Sequence, residues 1–301
     1  MPAEGGRLTA AFIATKLRDV GLGCDIVNLE PVETVVLKRD RIIVVLAVAF
    51  LTASAWSYLL RLSTDMGMGG MDMTGLRMIP SGMGLMTPAA DMPWQAVEFA
   101  FVFAMWTVMM VGMMTPSAAP MFLMYARIGR QTEAQSRPLA ETVWFAIGYF
   151  LVWIVFSLFA TLMQWALERS ALLDFTMAST SNMLGGFVFV VAGLYQWTRL
   201  NELCLAECQR PFAFLMRHGG YRRDAWGSII LGLRHGAYCV GCCWALMSLL
   251  LVGGVMNVLW IVLLALLAFL ERVTSMGRLL PRLTGIVLIA GGAWLFSMGM
   301  A

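Results

Sequence analysis

The stretch VWFAIGYFLVWIVFSLFATLMQWA, residues 143–166, contains neither a charged residue nor a proline. It is longer than the roughly 20 residues a helix needs to cross hydrocarbon, and longer than the 10–14 of an ordinary core helix. Working outward, apolar runs recur at 42–60, 94–114, 183–197, 226–252, 256–270 and 283–298, of which the fourth, sixth and seventh in chain order are short. The fold expected is all-α: a polytopic transmembrane helical bundle of about seven spans. Composition agrees, because 60% of the 301 residues are hydrophobic and 13% are charged. A soluble domain carries roughly 25% charged residues, so this chain cannot cover itself for water. The first 40 residues contain no uninterrupted apolar core and carry charge throughout, so no signal peptide is expected.

Orientation follows from Lys and Arg, which short cytoplasmic loops retain. Lys38, Arg39 and Arg41 precede the first run; Arg127, Arg130 and Arg137 lie between the second and third; Arg199, Arg210, Arg217, Arg222 and Arg223 lie between the fourth and fifth. Arg272, Arg278 and Arg282 follow the sixth, while the alternate connections hold only Arg61, Arg77 and Arg169. The N-terminus is therefore expected in the cytoplasm of a multi-pass protein of the inner (plasma) membrane. Three segments are expected besides the spans: a cytoplasmic leader, 1–40, with one amphipathic helix over 8–20; an external loop, 63–93, without regular structure; and a cytoplasmic connection, 199–225. The remainder, 41–301, is the membrane domain. Span two is expected to end at Thr115-Pro116, kinking before it runs out through 121–127, and Gly253-Gly254 to make a tight helical hairpin. No phosphate-binding loop and no basic–aromatic pattern for nucleic acid is present; the partner implied is the lipid bilayer.

The unusual residues are sulfur donors: 25 Met and 6 Cys against 2 His. Thioether and thiolate are soft ligands that favour Cu(I). The external loop reads DMGMGGMDMTGLRMIPSGMGLM, 65–86, and places Met66, Met68, Met71 and Met73 close together. Exposed Met gains nothing from water and is prone to oxidation, so the cluster captures Cu(I) or forms an adaptable apolar lid. In span two, Met105, Met109 and Met113 share one helix face and Met110 and Met114 a second. These stripes are either rungs for a soft cation or helix packing.

The segment RHGAYCVGCCWALM, 234–247, is the most specific. At 100° per residue His235, Cys239 and Cys242 fall within roughly 60° of one another, with Cys243 at the edge of that face. Cys242 is expected near mid-membrane. An imidazole and the adjacent Arg234 at membrane depth are costly, which marks a functional candidate; the alternative is a structural polar knot from which Arg234 snorkels outward. Cys204 and Cys208 form a CxxxC whose two thiols are neighbours on a helix. Cys24 stands alone and reads as inert. No CxxCH is present, and with two His no haem is expected.

The stretches VGMMTPSAAPMFLMYARI (111–128), GLYQWTRLNELCLAECQRPFAFL (193–215) and RHGAYCVGCCWALMSLLLVGGVMNVLWIVLLALLAFLERV (234–273) closely resemble a bacterial family of predicted metal-binding integral membrane proteins, long labelled a domain of unknown function. The resemblance covers about 39–298. It implies a link to copper and to loading copper enzymes, with Cys204, Cys208, His235, Cys239, Cys242 and Cys243 as ligands and Met113, Met114, Pro116 and Ser117 as a further motif. The chain departs from the family after Gln196, where Thr198-Arg199-Leu200-Asn201 replaces a Thr-Pro-Leu-Lys run, which alters the turn into the CxxxC.

The function expected is copper handling: Cu(I) bound through Met and Cys/His sites and delivered to a cuproenzyme or an accessory copper-binding subunit. The alternative is a copper-dependent membrane oxidoreductase whose partner subunit supplies the missing imidazoles; catalysis by this chain alone is disfavoured. A thiol redox protein using Cys242-Cys243 is disfavoured by the strain of a vicinal disulfide. A proton-coupled transporter is disfavoured because Glu98 is nearly the only acidic residue within a span.

Overall fold

The computed structural model describes residues 30–67, 94, 96–132, 138–170, 181–255, 257–274 and 278–299. Two units separate at Asp40/Arg41, and the helical bundle is the second of them, Arg41–Ala301. Among the described residues every regular element is a helix: α1 (Glu30–Gly67), α2 (Ala96–Thr132), α3 (Pro138–Arg169), α4 (Asn182–Tyr195), α5 (Arg199–Gln209), α6 (Pro211–Arg217), α7 (Ala225–Ser248), α8 (Val258–Val273) and α9 (Leu279–Gly299). A last turn, Leu250–Gly253, extends α7.

Five segments are long and apolar enough to cross a membrane: Arg41–Ser63, Ala96–Arg130, Leu139–Arg169, Ala225–Gly253 and Leu279–Gly299. Their outward faces are apolar, with Phe50 73%, Val155 67% and Val287 69% exposed. That is the inverse of a water-soluble bundle and suits a lipid solvent. The two remaining apolar helices are shorter: α4 has 14 residues and α8 has 16, or about 21 and 24 Å at 1.5 Å per residue.

Packing gives the helix directions. The hydrogen bond between Trp106 of α2 and Gln164 of α3 and the stacking of Tyr125 on Phe145 run these two helices antiparallel. Glu141 with Ser228, and Tyr149 with Cys239, run α3 and α7 parallel. The Tyr195 hydroxyl donates to the Gly241 carbonyl, and Val252 packs at Gly185, so α4 runs against α7. Trp260 donating to the Leu249 carbonyl and Arg272 to the Cys239 carbonyl run α8 against α7 as well.

Two contacts are made backbone to backbone, and glycine permits both. A Cβ at Gly193 would lie 2.7 Å from the Gly285 carbonyl oxygen, and one at Gly186 would lie 2.9 Å from that of Gly292. The seven-residue spacing on each side makes this an α4·α9 seam of small residues, a common packing device between membrane helices. In α3·α7 a Cβ at Gly232 would strike the Phe145 carbonyl, and one at Gly236 would lie 3.0 Å from that of Tyr149.

Some expectations are corrected. α2 does not end at Pro116; it runs through Pro116 and Pro120 to Thr132, its missing donors tolerated because the surrounding helices cover the freed backbone groups. The first loop is helical at its start, since α1 continues to Gly67. The leader helix over 8–20, Cys24, Met68, Met71 and Met73 lie outside the described residues, and only the backbone of Met66 is described. The connection 199–225 is helical where it carries the CxxxC, as its spacing implied, and α5 and α6 pack beside α7 and bury Asn201, Leu205, Glu207, Phe214 and Leu215. Thr198 caps α5 by accepting the Asn201 amide hydrogen, so the altered turn still opens a regular helix carrying the CxxxC. Gly254, at φ +89°, makes the hairpin before Asn257 caps α8 through Trp260.

Candidate metal centre

The buried face of α7 carries His235, Cys239, Cys242 and Cys243, all at most 3% exposed. α8 carries a buried stripe of Ile261, Leu264 and Ala268 that continues to Glu271 and Arg272. Arg272 enters among the sulfurs. Its Nη2 lies 3.0 Å from Cys243 Sγ, 3.5 Å from Cys242 Sγ and 3.1 Å from the Cys239 carbonyl oxygen, and its Nη1 lies 3.3 Å from Met114 Sδ. The Cys242 and Cys243 thiols donate to the same Cys239 carbonyl, at 3.1 and 3.0 Å. From α3, the Tyr149 hydroxyl is hydrogen-bonded to Cys239 Sγ at 3.0 Å.

Helix α5 adds a fourth thiol. Cys208 is half-buried and hydrogen-bonds both Cys239 and Cys242. Those bonds first, and burial next, hold its thiol well above the ordinary value. Cys204, one turn earlier, sits against Gly241; burial pushes its thiol up, and the nearby Cys242 and Glu207 add to the effect. Sulfurs from α2, α5 and α7 thus meet around one guanidinium. All four thiols are free of disulfides.

His235 shares the face but has different neighbours. Its ring packs 5.1 Å from Phe214, 5.8 Å from Tyr149 and 5.9 Å from Phe145, centroid to centroid, and its Nδ1 has no hydrogen-bond partner. Among the described residues no group of three or more His, Cys, Asp or Glu side chains is set to hold a metal ion. The thiols turn to one another, to a carbonyl and to Arg272. Arg234 lies exposed on the outer side of α7, so the buried cation of the site is Arg272, which loop counting assigns to the cytoplasmic side.

Met105, Met109, Met110, Met113 and Met114 are all buried, at 2% exposure or less. Both predicted stripes therefore face the bundle interior, and the second ends at Arg272. Cys242 is level with the ends of the two short helices, since Tyr195 meets Gly241 and Arg272 meets Cys242. The Glu271 carboxylate beside it takes the Gln196 amide at 3.2 Å.

The described residues form helices alone, with an apolar exterior and a buried cluster of cysteine and methionine sulfurs, which defines the class: a membrane-type helical protein. The chain belongs to the PpoB2 family, described as copper chaperones, whose profile matches residues 103–295. That range contains every sulfur donor of the cluster. No curated protein and no solved structure matches significantly.

Proposed function

We propose that this chain is a multi-pass protein of the inner membrane that binds Cu(I) as cargo and hands it to a cuproenzyme. The observation that carries the reading is the convergence of Met114, Cys208, Cys239, Cys242 and Cys243, from three helices, on one buried point. Thiolate and thioether together are the ligand chemistry of Cu(I), and membership of the copper chaperone family supports it. Met105, Met109 and Met110 lead along α2 towards Met114, so cargo caught by the Met loop would descend from thioether to thioether before reaching thiols. His235, with its unpartnered Nδ1, is a further donor one turn from Cys239. Because the thiols are turned to partners within the cluster, binding requires rotation about their Cα–Cβ bonds and loss of their protons.

The topology proposed is seven crossings with the N-terminus cytoplasmic. α3 and α7 run parallel, so the chain between them must cross back, and α4 is the segment available. α8 does the same between α7 and α9, which both run against α4 and are therefore parallel to each other.

Metal analysis of the purified protein after Cu(I) loading and desalting tests the reading. Wild type should retain copper, and Cys242→Ser and His235→Ala should each lose it. The double variant should be little worse than either single one, since residues of one site are non-additive. Cys24→Ser should load normally. Full copper occupancy in Cys242→Ser would sink the assignment.

A further inference from the structure

The feature that copper binding does not by itself explain is Arg272. Taking a guanidinium out of water costs several kcal/mol unless it is well paired. Among the described residues it has no carboxylate partner; Glu271, its neighbour in sequence, is engaged by the Gln196 amide. What it touches instead is a carbonyl, two thiols and a thioether, and its Nε has no partner. Sulfur is a weak acceptor, so a neutral amide would make these contacts at far lower desolvation cost. The positive charge is therefore what the position supplies.

We propose that Arg272 is the specificity-determining residue of the sulfur cluster, its fixed charge admitting a monovalent soft cation and rejecting divalent metals. The proposal rests on the copper reading above. Cys208, Cys239, Cys242 and Cys243 are not set around a metal position as they stand, but rotated towards a common cation they would offer the four thiolates that Zn(II) takes readily. Softness alone does not exclude it. A metal bound by Cys242 and Cys243 lies within a few ångströms of the guanidinium. The repulsion between them scales with the product of their charges, so it is twice as large for Zn(II) as for Cu(I) at the same distance. Arginine suits the task because, unlike lysine, it cannot shed its proton to relieve that repulsion.

The test compares wild type with Arg272→Gln, both in detergent micelles, titrated with Cu(I) and separately with Zn(II) against competing chelators. The readout is the ratio of the two dissociation constants. A role in holding the helices together would lower both affinities and leave the ratio unmoved. The expected result is a shift of at least tenfold towards Zn(II) in Arg272→Gln. An unchanged ratio, or a shift towards Cu(I), overturns the proposal. Should the variant not fold, wild type decides alone through Co(II), a spectroscopic stand-in for Zn(II). Absence of a thiolate-to-cobalt charge-transfer band at millimolar Co(II) supports the proposal, and a tetrahedral thiolate spectrum overturns it. The two readings fail separately. A wild type that takes no Cu(I) brings down both, whereas one that takes Cu(I) with an unchanged ratio removes only the role of Arg272.

Discussion

Replacing Gly232 by Ala tests whether the α3·α7 contact positions the cluster. An added Cβ would overlap the Phe145 carbonyl oxygen and lie 3.0 Å from both the Phe145 carbonyl carbon and the Tyr149 nitrogen, where ordinary contact is 3.4–4 Å. Neither obstacle is a flexible side chain. The helices must therefore part by roughly 1 Å, because close-packed interiors have no slack to absorb the methyl. Overpacking of this kind costs about 1–3 kcal/mol, set against a gain of about 1 kcal/mol in helix propensity on losing a glycine. Gly291→Ala is the control: it shares that gain, but its Cβ meets only Phe189 at 3.4 Å. Thermal unfolding in one detergent should place Gly232→Ala about 1–3 kcal/mol below Gly291→Ala. The Tyr149–Cys239 hydrogen bond, 3.0 Å long, would stretch beyond the range of a real bond, so copper retention should fall as well. Equal melting of the two variants would falsify the close-contact reading.

Reporter fusions after Arg130 and Arg217 should read cytoplasmic and those after Met83 and Ala301 external; a cytoplasmic signal at Ala301 would mean that α4 or α8 does not cross. Replacing Met66, Met68, Met71 and Met73 by Leu keeps apolarity and removes sulfur, so Cu(I) uptake should weaken while insertion is unaffected; equal uptake would favour the lid. Alkylation of Cys204, followed by mass spectrometry against pH, should rise with a midpoint above that of a free thiol, since burial favours its protonated form. By linkage, that thiol's contribution to stability is present below the ordinary thiol value and is lost as pH rises through the higher folded one. A midpoint at or below the ordinary value would contradict the burial of Cys204 against Gly241.

The helical, membrane-type character was legible because apolar run length is a local property, and the charge-free run inside α3 announces it unaided. The shared face of Cys239, Cys242 and Cys243 was legible for the same reason, from spacings of three and four. Arg272 was not, because counting loop charges treats every arginine alike and cannot see which one turns inward. The signal was present in register: the buried stripe of Ile261, Leu264 and Ala268 reaches Glu271 and Arg272 at the next turn. The contact of Cys208 with the α7 thiols was beyond sequence reading, since it depends on how α5 lies against α7. The seven-residue glycine spacings in α4 and α9 were visible, but their pairing is a tertiary fact.

The short length of α4 also decides what stands in front of the sulfur cluster. Because the helix stops level with Gly241, about 24 Å from the start of α7, the lower part of α7 is covered by α5 and α6 rather than by α4, beside its contact with α3. The sulfur cluster therefore stands behind an amphipathic partition one helix thick, whose inner side carries Cys208 and whose half-buried Cys204 lies one turn away. On the proposed copper reading, a docking protein that tilts α5 would draw the Cys208 thiol outward without opening the bundle. Lengthening α4 by one turn would withdraw that partition by about 5 Å and separate Cys204 and Cys208 from the thiols of α7.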